Sequence, residues 1–157
     1  MTERAEAQII PFDSRYREDF KRLNIAWLEK FFRVEPLDAE VLSNPERNIL
    51  DPGGRILFAK VGDEIAGACA LIPEGEGRYE LSKMAVDERF QGLGLGRLLL
   101  EAAVAEFKKL EGAELFLESN SRLGPAIRLY ETSGFRHAPR PAASHYERAD
   151  VYMVYEG

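Results

Sequence analysis

Sulfur and imidazole are scarce in this chain. Among 157 residues there is one cysteine, Cys69, and there are two histidines. One thiol cannot close an internal disulfide, and its place in an apolar run assigns it to a buried structural role rather than a nucleophilic one. Two scattered histidines beside one cysteine offer no metal-ligand cluster, so no metal is expected. Positive charge is also short: 21 Lys and Arg face 27 Asp and Glu, a net charge of −6. That balance argues against a nucleic-acid partner, which needs a basic face, and it is compatible with a cationic or amine substrate. No apolar run approaches the roughly 18 residues of a membrane span, and the opening MTERAEAQ lacks an apolar core of the signal-peptide kind. The expectation is a cytoplasmic protein with no membrane partner.

What is present is an ordinary soluble balance, in a length that suits one domain over residues 1–157. No repeat, low-complexity tract or linker divides it. Gln8 to Phe12 is a short apolar stretch expected as the first strand. Asp13 and Ser14 are N-cap residues, and behind them Phe20, Leu23, Trp27, Leu28 and Phe31 recur at helical spacing, a stripe assigned to the core. Glu35-Pro36 breaks the helix, and Asp38 to Leu42 forms another short one. After the turn at 51–54 come three strands of a meander: Arg55 to Val61, Glu64 to Pro73 and Arg78 to Val86. The near-continuous apolar character of the second predicts a strand covered on both faces. Gly94 to Leu110 is an amphipathic helix with Gly112 as its cap. Glu114 to Ser119 is a buried strand, Pro125 to Ser133 a helix stopped by Gly134, and Phe135 to Ala138 a strand start. Arg140 to Glu147 is a long loop, and Ala149 to Tyr155 the last strand.

The chain is organised around Val86 to Leu100, VDERFQGLGLGRLLL. Glycine stands at 92, 94 and 96, between a strand and a helix. Removing side chains there leaves backbone N–H groups accessible at the positive end of the helix dipole, a place suited to an anion and most often a phosphate. A tight connection would use the same glycines. Gly96 is followed by Arg97 and Leu98, not by Lys and Ser or Thr, so this is no P-loop. Arg97 and Leu99 stand where the third glycine of G-x-G-x-x-G belongs. What remains is Q-x-x-G-x-G, from Gln91 through Gly94 to Gly96.

That pattern resembles the acetyl-CoA signature of the GCN5-related N-acetyltransferase (GNAT) superfamily. A second landmark of the family, a tyrosine shortly before a Gly-Phe pair, is matched by LYETSGF, Leu129 to Phe135. The resemblance implies an α/β (α+β) fold, with a mixed, mostly antiparallel, twisted sheet and helices on both faces. It also implies acetyl-CoA as cosubstrate. Backbone amides of Gln91, Gly92, Leu93, Gly94, Leu95 and Gly96 would take its pyrophosphate, with Arg97 adding charge. Met84, Ala85 and Val86 would pair with the pantetheine arm like an added strand, which requires the sheet to open beside them. Ala126 and Tyr130 lie on the later helix that faces the cofactor. The family places an asparagine three residues before that alanine. Here that position is Leu123, and Asn120 is the shifted candidate.

Acyl transfer from a thioester to an amine needs the amine deprotonated, the oxyanion stabilised and the leaving thiolate protonated. Glu80 is the candidate base, provided burial raises its pKa. Plain strand alternation puts Glu80, Ser82, Met84 and Val86 on one face and Leu81, Lys83 and Ala85 on the other. The resemblance makes Tyr130 the acid and a backbone N–H near Met84 to Ala85 the oxyanion donor. It also offers Trp27, Phe31 or Phe32 as an alternative lining of the acceptor pocket. His145 and Tyr146 are read as ordinary loop residues, with a gating or basic role as the alternative. The expected activity is transfer of acetyl to a primary amine on a small molecule, through a tetrahedral intermediate. Peptide acetylation and a catalytically silent CoA-binding module are the alternatives. Monomer and homodimer are both open.

Overall fold

The computed structural model describes residues 6–141 and 146–157. Seven strands form one sheet in the order β1-β2-β3-β4-β5-β7-β6. They are β1 (Ala7–Pro11), β2 (Arg55–Val61), β3 (Glu64–Pro73), β4 (Arg78–Val86), β5 (Glu114–Ser119), β6 (Phe135–His137) and β7 (Val151–Tyr155). Every neighbouring pair is antiparallel except β4 and β5. The helices are α1 (Arg17–Phe31), α2 (Pro36–Ser43), α3 (Leu95–Lys109) and α4 (Gly124–Thr132).

The meander follows its turn residues, and β2, β3 and β4 begin and end where the Gly- and Asp-containing turns predict. The helical pattern behind Asp13 starts three residues late. Asp13 accepts from Arg15 N at 2.9 Å and caps a short 3-10 turn, Ser14–Tyr16, before α1. The Glu35-Pro36 break is also a beginning. Pro36 takes the first position of α2, which the expected helix at Asp38 placed too late. Glu35 and Asp38 form a reciprocal capping box there, with Glu35 N donating to Asp38 Oδ2 at 2.9 Å. A single helical turn over Glu46–Leu50 was not foreseen.

Hydrophobic residues on the two faces of the sheet form two clusters. On one face Cys69, Leu71 and Leu81 pack with Leu95, Leu99, Leu100, Ala103 and Phe107 of α3. On the other, Ile65, Ala68, Ala70 and Ala85 pack with Phe20, Leu23 and Leu28 of α1 and with Val41 and Leu42 of α2. The strand β3 therefore feeds both cores, as its apolar run predicts.

Two irregularities in β4 shape everything that follows. The first is a bulge. Ala70 pairs with Ser82 and Ala68 with Ala85, so one residue of β3 faces two of β4, and Lys83 has φ +54°. Plain alternation fails at that point. Met84 and Val86 pack on the α3 side together with Leu81, while Ala85 packs on the α1 side and Lys83 reaches α2. The expected shared face of Glu80, Ser82, Met84 and Val86 is thus corrected. The second irregularity is a parting. The parallel β4–β5 ladder joins Arg78 to Glu114, Tyr79 to Leu115 and Glu80 to Phe116, and goes no further. Beyond it β4 stays with β3 while β5 stays with β7.

Candidate active site

The parted strands open a cleft of about 480 Å³. One end lies at the glycine run. Gly92 and Gly94 have φ +82° and +75°, conformations that suit glycine, and a Cβ at either would meet no atom within 4 Å. Gln91 N is already spent on Glu88 O at 3.3 Å, which removes it from the expected set of amides. Among the described residues, no backbone carbonyl accepts from the N–H groups of Gly92 to Arg97. Leu98 is the first residue of α3 to bond back, to Gly94 O at 3.1 Å. The first turn of α3 holds no acidic residue. Nearby acids are matched by bases: Asp87 pairs with Arg22 and Arg89, and Glu88 with Lys30. Bare amides at the positive end of a fifteen-residue helix form a cradle for an anion.

Most expected cofactor residues line the cleft: Met84, Ala85, Val86, Gln91, Gly92, Gly94, Leu95, Gly96, Arg97, Asn120, Ala126 and Tyr130. Leu93 does not. Its side chain packs against the α3-side core, and it offers only backbone. From Leu81 onward β4 has no partner strand on its β5 side, so an extended ligand can pair there, as the expected opening requires. Arg97 reaches Thr132 Oγ1 of α4 at 3.5 Å. Asn120 is spent at both ends: Nδ2 donates to Arg148 O at 2.6 Å, and Oδ1 accepts from Arg122 N at 2.8 Å. It fixes the turn after β5.

Tyr130 sits edge-on to Phe135, with ring centroids 6.1 Å apart. Burial, with a smaller contribution from Cys69, pushes its phenol up to about 12, so it stays protonated and able to donate across the physiological range. Cys69 is a buried thiol pushed up to about 12 by burial alone, in keeping with a structural role.

Glu80 stands at the last rung of the β4–β5 ladder, 4% exposed. Burial is the main cause that lifts its pKa to about 8. The charges of Glu118 and Glu74 add to it, and those of Lys83 and Arg148 oppose it. Burial is the condition its role as a base required, and it is met.

The end of the cleft away from the glycine run holds a buried polar network that sequence reasoning missed. Asp38, fully buried, accepts from Lys83 Nζ at 2.8 Å and from Arg148 Nη1 and Nη2 at 2.8 and 2.9 Å. Lys83 also donates to Tyr146 Oη at 2.6 Å, and Arg148 to Glu35 Oε2 at 3.0 Å. Lys83 and Arg148 lie 4.5 and 4.1 Å from the Tyr146 ring centre. Burial raises the Asp38 carboxyl, but Arg148 and Lys83 outweigh it and hold the group below the usual carboxylate range. Burial pulls Lys83 down despite Asp38 and pushes Tyr146 up. The reading of Tyr146 as an ordinary loop residue is corrected: it is buried and lines the cleft. His145 lies outside the described residues. Trp27 and Phe32 also line the cleft, as the alternative reading of these aromatics had it; Trp27 packs against the α1-side core as well, while Phe31, expected in the core, is 40% exposed. Two signals for the network were present in the chain. Lys83 stands between Leu81 and Ala85, where strand alternation expects an apolar residue, and Glu35-Pro-Leu-Asp38 is a capping pattern with acids at both ends.

Residues 16–135 match the Acetyltransferase (GNAT) family. The chain belongs to that family. It is 32% identical over 124 residues to an uncharacterized N-acetyltransferase of Schizosaccharomyces pombe, covering 76% of each chain. It is 43% identical over 108 residues to the [Ribosomal protein bS18]-alanine N-acetyltransferase of Salmonella typhimurium, covering 65% of this chain and 73% of that one. In three dimensions it superposes on a GNAT acetyltransferase from Staphylococcus aureus Mu50 with a TM-score of 0.86. There the identity is 22% and the cover 96% and 98% of the two chains. Among the described residues no helix is long and apolar enough to cross a membrane, and no group of acids, histidines and cysteines is placed to hold a metal.

Asp38→Ala strands Lys83 and Arg148 as buried cations without their carboxylate. The expected loss is about 3–5 kcal/mol of folding stability, read from urea unfolding. A loss below 1 kcal/mol (about the worth of an exposed pair) would show that the network is peripheral.

Proposed function

We propose that this protein transfers an acetyl group from acetyl-CoA to a primary amine on a small molecule by direct attack. The reading rests on one observation. The bare amides of Gly92 to Arg97 and the buried carboxyl of Glu80 lie along one cleft, joined by the unpaired edge of β4. The amides suit the diphosphate of coenzyme A, and the β4 edge at Met84 to Val86 suits the amide groups of its pantetheine arm. Tyr130 and Ala126 then flank the arm from α4.

Acetyl-CoA supplies an activated acyl carbon. The chain's own groups handle the protons. Glu80 takes one from the incoming ammonium, which frees the amine to attack. As the tetrahedral intermediate collapses, the new C–N bond stays and the C–S bond breaks. Tyr130 donates to the departing thiolate, and the second proton that the nitrogen sheds on becoming an amide restores the phenol. A backbone N–H beside the bulge, near Met84 and Ala85, serves the oxyanion. Acetylation of a peptide α-amine is the second reading. It is favoured by the similarity to the ribosomal-protein alanine acetyltransferase.

Three measurements test this. Gly94→Val puts a side chain into the cradle at a φ of +75° and should abolish coenzyme A binding by calorimetry. Retained binding would place the diphosphate elsewhere. Tyr130→Phe should lower kcat by about 10²–10⁴ with the KM for acetyl-CoA unchanged, and wild-type turnover would remove Tyr130 from the mechanism. For the base, the active form of Glu80 is the ionised one. Activity should therefore rise with pH through about 8 and level off above it. Glu80→Gln should lose that rise, and an unchanged profile would assign the limb to another group.

A further inference from the structure

The proposed reaction leaves the acceptor amine unspecified, and the charged groups at the acceptor end restrict it. Lys83 and Arg148 are the two basic residues of the described lining in that half of the cleft, on the face of the sheet covered by α1 and α2. Arg148 offers Nη1 and Nη2 as a fork, the arrangement that binds a carboxylate through two parallel hydrogen bonds. The fork is already filled. Asp38 takes both nitrogens, at 2.8 and 2.9 Å, and Nη1 also reaches Glu35. Lys83 is engaged in the same way by Asp38 and Tyr146. The side chains of Lys83 and Arg148 are 3% and 17% exposed, and that of Asp38 is fully buried. Among the described lining a substrate carboxylate therefore finds no vacant fork, and to use this one it must displace the protein's own acid.

The other charged groups of this half carry the opposite sign. Glu80 lies on β4 and Glu118 on β5, on either side of the parting. Both line the cleft, and their charges sense one another. Glu118 follows Phe116 by two residues, so it shares a face with the residue that pairs with Glu80. An ammonium entering here meets Glu118 and the carboxyl of Glu80, while a carboxylate entering here meets the like charge of Glu118, joined by that of Glu80 as it ionises. Trp27 and Phe32 of the α1 end add an aromatic stretch of wall, which suits an apolar substituent or the face of a cation.

We infer that the acceptor is a primary amine whose neighbouring carbon bears no free carboxylate, and that Glu118 contributes to this selection by facing the ammonium. An alkylamine or a peptide-like α-amine fits, and a free amino acid does not. The inference rests on the acetyl-transfer reading above.

The test uses the intact protein with saturating acetyl-CoA and matched acceptors. These are L-alanine against L-alaninamide, L-phenylalanine against its amide, and L-phenylalanine against 2-phenylethylamine. The amine of the last acceptor is at least as basic as that of the amino acid, so the third pair separates charge selection from amine basicity. The acceptor without the carboxylate should show kcat/KM about tenfold higher or more in every pair. Glu118→Gln should narrow the ratio, which a merely structural role for Glu118 would not do. Equal rates, a preference for the amino acid, or no turnover of any carboxylate-free acceptor would overturn the inference. Coenzyme A binding by calorimetry is read in parallel. Its absence defeats the acetyl-transfer reading itself. Its presence with free amino acids preferred defeats only the selection argued here.

Discussion

Strands β4 and β5 hold each other for three residue pairs and then separate. Unpaired backbone in a sheet interior is costly unless something accepts its hydrogen bonds. The separation survives because each strand keeps its other partner: β4 is held by β3 and β5 by β7. The turn after β5 is pinned away from β4 as well. Ser121 N and Oγ both reach Asp150 at 2.8 Å, and Asn120 ties back to Arg148. The cost of leaving β4's edge bare is met by these contacts and by the solvent that the open edge admits. The residues assigned to the proposed reaction lie along that opening.

The two ends of the opening are built on different physics. At the glycine end the useful groups are backbone dipoles, and side chains are absent by design of the sequence. At the acceptor end the useful groups are buried charges, and each is held by others. Asp38 is the keystone. It caps α2, pairs with β4 through Lys83 and with the segment before β7 through Arg148. Three elements far apart in the chain thereby meet around one carboxylate. Ion networks of this kind add little net stability over an apolar core. Here the network orders one wall of the cleft.

Much of this was legible in the chain. The meander reads directly, because its turns carry Gly, Asp and Pro and its strands run apolar to their ends. The cradle reads as well, since glycine at 92 and 94 meets positive φ in the structure and glycine is the residue that tolerates it. The candidate base and acid were also named from spacing and resemblance. The parting of β4 from β5 was not readable, because a parallel pair is ended by contacts of the flanking loops rather than by anything in the strands. The bulge escaped notice because its positive φ falls on Lys83, a residue that signals no such turn. The Asp38 network joins residues 45 and 110 positions apart, and such partners cannot be inferred from local pattern.

The bulge has a lasting effect on what β4 can be. Ahead of Lys83 the even-numbered residues look toward α1 and α2, and after it they look toward α3. One strand therefore presents Glu80 to one compartment and a methionine and valine to the other. Were the same residues to pair with β3 without the bulge, ordinary pleating would run through this spot. Met84 and Val86 would swing to the face covered by α1 and α2, Ala85 would turn to the opposite core, and every group downstream would inherit its neighbour's surroundings. The bulge, and not the composition of the strand alone, thus decides which face each later residue of β4 occupies.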